Sequence, residues 1–288
     1  MYYRLLVLAT TLYLPISQAH QPVMDMAPRW DDGFGFQLWY ENYGSSELLN
    51  GSQTVSNPKN LERYVQTTWL QGVYTFDRSV RVTFKLPYRD QQRVKEISNT
   101  ATQQSNSGVG DLVIGVPIKK YLNQGNSTGN LSLTPSIRLP SGSSSGNYPL
   151  SDGSWDLGLS LSYSKSTPKF YQLYDVFYWY NTEGDRGMQE GNELGIDINL
   201  GYHPYHDNLT NSGVFVMWDI TMRDQESPNT ATLTHASGGE RVHTGPVLVL
   251  YKDNIMFRAE YKYPLYEKSN NVSLSRGQEF NIGIGVTF

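Results

Sequence analysis

VRVTFKLPYR, residues 80–89, decides the fold. Val80, Val82, Phe84, Leu86 and Tyr88 fall on one face and Arg81, Thr83, Lys85 and Arg89 on the other, the two-residue period of a half-apolar β-strand. The period recurs outward from this segment. Leu112, Ile114, Val116 and Ile118 alternate with Asp111, Gly115 and Lys119, and Leu131, Leu133 and Ile137 with Ser132, Thr134 and Arg138. Trp155, Leu157, Leu159, Leu161 and Tyr163 oppose Asp156, Gly158, Ser160 and Ser162. Leu194, Ile196, Ile198, Leu200 and Tyr202 oppose Glu193, Asp197 and Asn199, and Ile255, Phe257, Ala259, Tyr261 and Tyr263 oppose Arg258, Glu260 and Lys262. Gly33–Tyr43, Tyr64–Phe76, Phe170–Asn181, Gly213–Arg223, Val242–Tyr251 and Gln278–Phe288 read as further strands, which makes about twelve. Val242–Tyr251 is partly apolar on both faces, so its register stays open.

The connections sort by length. Gly44–Leu61, Asp90–Val109, Ser141–Ser154, Thr182–Gly191, Gln225–Gly239 and Lys268–Gly277 are long; Asp77–Ser79, Asn123–Gly129, Ser166–Lys169, Pro204–Asn211 and Asp253–Asn254 are short. Long and short alternate, as they do in an all-β transmembrane antiparallel up-and-down barrel with both termini in the periplasm. A soluble sandwich shares the alternation of faces but has no reason to segregate its loops. Tyr40, Tyr43, Tyr88, Trp155, Tyr163, Tyr178, Trp179, Tyr202, Trp218, Tyr263 and Tyr266 fall near strand ends, where amphipathic rings form interfacial girdles.

The first residues are Met-Tyr-Tyr-Arg, then an apolar run from Leu5 to about Ile16, then Ser17-Gln18-Ala19. This order predicts a secretory signal peptide over 1–19, cut after Ala19, with residues 20–288 forming one barrel domain in the outer membrane of a Gram-negative cell. Beyond it no apolar run is long enough for a spanning helix, so any span is a strand. The last strand, Asn281-Ile-Gly283-Ile-Gly-Val286-Thr-Phe288, resembles the assembly signal of bacterial outer-membrane proteins, with Asn281, Gly283, Val286 and Phe288 in its places. The resemblance implies the barrel-assembly machinery and outer-membrane lipids as partners. Val286 stands where an aromatic is usual.

If the polar faces turn inward, the lumen holds Arg81, Lys85, Arg89, Lys119, Arg138, Arg258 and Lys262 beside Asp111, Asp156, Glu193, Asp197, Asp219 and Glu260. Mixed charge makes either a transverse field across water or a salt-bridged plug, and its near balance argues against acidic oligosaccharides as cargo. Arg81, Lys85 and Arg89 still make one strand locally basic. The absence of cysteine excludes thiol catalysis and thiolate metal sites. His20, His203, His206, His235 and His243 form no grouping with serine of the phospholipase type, so no catalytic residue is assigned. His203-Pro-Tyr-His206 has a spacing that could ligate a metal, but a proline-containing turn without a third ligand reads as a solvated turn, and no metal or cofactor is assigned. The slightly acidic chain has no basic stripe for nucleic acid.

Gly108-Val-Gly110-Asp111-Leu112 and Leu139-Pro140-Ser141-Gly142 resemble the MetA-pathway phenol-degradation family of outer-membrane transporters. There a Gly-Asp-Leu strand start precedes a hairpin ending in Leu-Pro-Thr-Gly, and Ser141 departs from the threonine. Gly110 and Gly142 would permit special backbone angles, Pro140 would stop the ladder, and Asp111 would point inward. The resemblance implies a barrel passing small hydrophobic or aromatic compounds. The expected function is therefore passive passage of a small-molecule cargo; the alternative is a structural or adhesive barrel acting through its long loops.

Overall fold

The computed structural model describes Pro28 and residues 30–207, 209–229 and 238–288; the signal peptide, its cleavage point, His20 and His235 lie outside the described residues. The chain runs through β1 (Gly33–Ser45), β2 (Leu48–Gly51), β3 (Gln53–Val55), β4 (Glu62–Thr75), β5 (Arg81–Ile97), β6 (Thr100–Val109), β7 (Leu112–Gly115) and β8 (Ile118–Tyr121). It continues through β9 (Thr128–Leu139), β10 (Asp156–Ser166), β11 (Phe170–Tyr180), β12 (Glu193–Asp207), β13 (Ser212–Gln225), β14 (Gly239–Lys252), β15 (Ile255–Leu274) and β16 (Gln278–Thr287). Neighbours pair antiparallel, and β16 returns to β1 from Gly35 opposite Thr287 to Gly44 opposite Gln278, so the sheet closes on itself. β6, β7 and β8 form one interrupted strand, and the ring has the twelve strands that the sequence predicts. Closure satisfies the backbone without a free edge in the ring, the condition for a strand protein to cross hydrocarbon.

The outward face carries Phe34, Leu38, Leu70, Leu157, Leu159, Leu161, Val176, Leu200, Leu248 and Ile284, all exposed. A belt of this kind is costly in water and is the surface that lipid tails cover. Tyr88, Trp155, Tyr178, Tyr202, Trp218 and Tyr266 also face out, as girdle residues should. Tyr43 and Trp179 do not. They share the inward phase of Glu41 and Phe177, where arginines cover their rings.

Four connections need correction. Asp90–Val109 is not a loop but a hairpin of β5 and β6, closed by Ser98 and Asn99, both at positive φ between Ile97 and Thr100. Both of its faces are polar, so it leaves no period-two signal. Most of Lys268–Gly277 is an extension of β15, and Gly44–Leu61 contains β2 and β3, which pair onto that extension. Pro204–Asn211 is not all turn: β12 runs to Asp207 through a bulge between Tyr202 and Tyr205.

Val242–Tyr251 is apolar on both faces because part of the barrel interior is apolar. Phe215, Met217, Val247, Val249, Tyr251 and Met256 point inward from β13, β14 and β15 near the short-turn end and are buried together. On the opposite side of that end the backbone carbonyl of Pro28 accepts from Arg81 (3.0 Å) and Thr75 (3.2 Å), both inward, so Pro28 lies at the lumen.

Candidate functional site in the lumen

Because side chains alternate, each strand delivers every second residue to the lumen. β5 delivers Arg81, Lys85, Arg89 and Arg93, and Lys119 and Arg138 follow on β8 and β9. The carboxylates gather on the far side. Asp156 is on β10, Asp175 on β11, Glu193 and Asp197 on β12 and Asp219 on β13, with Asp175 directly opposite Asp197 in register. The Lys85 charge reaches Asp175 across the lumen. One wall of the lumen is thus cationic, while the other holds most of the carboxylates together with arginines and a lysine.

Most of the acid side is paired within itself. Arg223 binds Asp197 at 2.6 Å and Glu193 at 3.8 Å, while Arg241 binds Glu193 at 3.0 Å. Arg138 binds Asp156 at 3.2 Å. Arg258 bonds Glu260, and Lys262 bridges Asp219 (2.5 Å) and Glu260 (3.7 Å); all four are buried or nearly so. Asn281 completes this cluster by donating to Glu260 at 3.2 Å, so the first residue of the C-terminal signal is an interior residue. Asp111 lies at the break between β6 and β7 and accepts from the Gly142 backbone N–H at 2.9 Å, which makes it a loop anchor.

A three-layer unit repeats on the inner wall. Trp39 lies over Gly283, Phe177 over Gly195 and Trp179 over Gly158, each its cross-strand partner, and a side chain on any of these glycines would collide with the ring. A guanidinium covers each ring: Arg258 over Trp39 at 5.3 Å, Arg223 over Phe177 at 4.7 Å and Arg138 over Trp179 at 4.6 Å. Glycine lets the ring lie flat against the wall, and the cation is held by the ring's negative face. Arg276 stacks similarly on Tyr43 at 3.7 Å and pairs with Glu41 at 2.9 Å. Asp175, Arg223, Arg241 and the inward rings were missing from the sequence-based assignment. Their signal was phase: Trp39 is in step with Gln37 and Glu41, and Asp175 with Phe177 and Trp179.

At the long-loop end, the segment 147–151 folds inward. Gln91 donates to the carbonyls of Tyr148 (3.1 Å) and Pro149 (2.9 Å), and Arg93 stacks on the Tyr148 ring at 4.0 Å. Burial pushes the Tyr148 phenol above its ordinary pKa. The two motif segments meet at this rim. The Ser141 hydroxyl accepts from the Leu112 N–H at 2.8 Å and donates to the Gly110 carbonyl at 3.0 Å, a role serine and threonine share. β9 ends before Pro140 as expected. Gly110 and Gly142 are not at positive φ; their lack of a side chain matters for contact, since a Cβ on Gly142 would lie 3.0 Å from the Gly110 Cα.

The barrel is similar to solved structures of outer-membrane barrels, two of them as follows. The COG4313 outer membrane channel from Pseudomonas putida F1 aligns over 93% of this chain and 100% of that one, with TM-score 0.69 and 14% identity. The beta domain of the Bordetella autotransporter BrkA aligns over 90% and 100%, with TM-score 0.51 and 11% identity. No curated protein sequence matches the chain. The profile of one family matches residues 50–275, and on that extent the chain belongs to the family described as "Putative MetA-pathway of phenol degradation".

Proposed function

We propose that this chain is an outer-membrane conduit for small molecules, exported by its signal peptide and inserted with the short turns in the periplasm, and that its cargo includes small aromatic compounds. One observation carries the cargo assignment: the repeated unit of glycine, aromatic ring and arginine on the inner wall. An aromatic solute entering the lumen meets the outer faces of these guanidinium groups, planar cations on which it can stack, since each ring itself lies between wall and arginine. Affinity at each unit is small because the ring is already covered, which suits passage better than retention.

Planar bilayers containing the purified barrel test this. Discrete conductance steps are expected, with a current reduced by millimolar phenol and unaffected by an equal concentration of a non-aromatic alcohol. Lys85→Glu is expected to shift ion preference toward cations, because it removes a positive charge facing Asp175 and adds a negative one. An ion-tight barrel would sink the conduit, and equal block by both solutes would sink the aromatic preference.

A further inference from the structure

The bulge in β12 builds a site that neither the family nor the proposed conduit explains. His203 is inward and buried, and His206, three residues on and past the bulge, is exposed at the short-turn rim. The expected solvated turn is therefore corrected: His203 and Pro204 together oppose the single residue Phe215, and the one extra residue brings both imidazoles to one side, with ring centroids 5.0 Å apart. Both converge on one oxygen. The Tyr251 hydroxyl lies 3.0 Å from His203 Nε2 and 2.8 Å from His206 Nδ1.

We propose that His203, His206 and Tyr251 form a binding site for a late first-row divalent cation, of the Zn2+ or Cu2+ type, at the short-turn mouth of the barrel. Four features support it. His203 Nδ1 lies 3.3 Å from the Pro168 carbonyl, the outer partner that holds a ligating imidazole in the tautomer with Nε2 bare. The His203 ring is stacked on Phe215 at 4.0 Å and 5° between planes, so its lone pair is aimed before any ion arrives. Gly213 supplies the room: a Cβ there would lie 2.3 Å from the Tyr251 hydroxyl and 2.6 Å from His203 Nε2. Exposure of His206 leaves a path for the ion and a coordination position for water.

Among the described residues no third histidine or carboxylate joins the pair, so the third donor is the phenol. Three donors on one tetrahedral ion at roughly 2.0–2.1 Å stand about 3.3 Å apart, so the two separations from the phenol oxygen to the ring nitrogens need open by only a few tenths of an ångström. In the ion-free site the Tyr251 hydroxyl donates to His203 Nε2 and accepts from His206 Nδ1–H; on binding, the phenol releases its proton to solvent, and His206 exchanges with solvent to the tautomer that carries its proton on Nε2 and presents Nδ1. Imidazole and phenolate donors select against Mg2+ and Ca2+, which prefer cages of carboxylate and carbonyl oxygens.

The test is calorimetric titration of the chelator-treated, detergent-solubilised full barrel with ZnCl2, and with MgCl2 as the hard-ion comparison. Each variant is first checked for the folded, heat-modifiable band on gels. One equivalent of Zn2+ is expected to bind and Mg2+ not at all. His206→Gln and Tyr251→Phe are each expected to weaken Zn2+ binding by at least about tenfold, the scale seen when metal-site partners are removed. His20→Gln and His235→Gln are expected to leave it unchanged. With Cu2+, a phenolate-to-metal charge-transfer band should appear and vanish in Tyr251→Phe, a signature that mere packing of the three rings would not give. Absence of Zn2+ binding, binding that survives the His203→Gln/His206→Gln double variant, or equal binding of Mg2+ overturns the proposal.

Discussion

Glu260→Gln is expected to destabilise the barrel by about 3–5 kcal/mol, the cost of leaving buried cations without their counter-charge. Glu260 is 4% exposed and holds Arg258, Lys262 and Asn281 at the seam where β15 meets β16. Asp219 would still compensate Lys262, but Arg258 would lose the carboxylate that it bonds and keep its stack on the Trp39 ring. Urea titration of the barrel refolded in lipid reads the effect as a shift of midpoint. Arg258→Met on top of Glu260→Gln should recover part of the loss, because a pair removed whole leaves no orphan charge. A loss under about 1 kcal/mol would show that water already reaches the cluster and screens it.

Gly283→Val is expected to cost about 3 kcal/mol or to prevent closure altogether. A Cβ at that position lies 2.3 Å from Cε3 of Trp39, and valine adds two methyl groups beyond it. The indole cannot move toward the lumen without leaving the space under Arg258, and overpacking of this kind forces rotamer and backbone shifts. Loss of the heat-modifiable band in cells and on refolding would report it. Trp39→Ala in the same chain should restore folding by vacating the space. Normal assembly of Gly283→Val alone would mean that this glycine serves the assembly signal by sequence and not by fit.

Much of the wall was legible in the sequence because hydrocarbon enforces a binary pattern. Residues 80–89 face lipid on one side and an ionic lumen on the other, and no other environment writes that alternation so cleanly. Where an environment was shared by both faces the pattern failed. The hairpin of β5 and β6 stands clear of the apolar belt, so Gln91, Gln92, Thr102 and Gln104 look like loop. Val247 and Val249 line an apolar part of the interior, so β14 had no polar face to fix its register. Tyr43 and Trp179 were assigned to the girdles by distance from strand ends, although their phase placed them inside. Which cation meets which carboxylate was beyond reach, since that depends on the register between strands and not on order within one.

The sorting of interior charge has a consequence for how the ring closes. The strands up to β9 contribute an inner face with an excess of cations, and those from β10 onward one whose carboxylates outnumber the arginines and lysine paired with them. While the sheet is still an open ribbon, its two halves therefore attract each other across the gap that β1 and β16 must bridge. That pull acts before any contact between them exists and weakens over about 10 Å in 0.1 M salt. Folding of this barrel into lipid should accordingly be fastest in dilute buffer, with added salt slowing the final step in which the first strand finds the last.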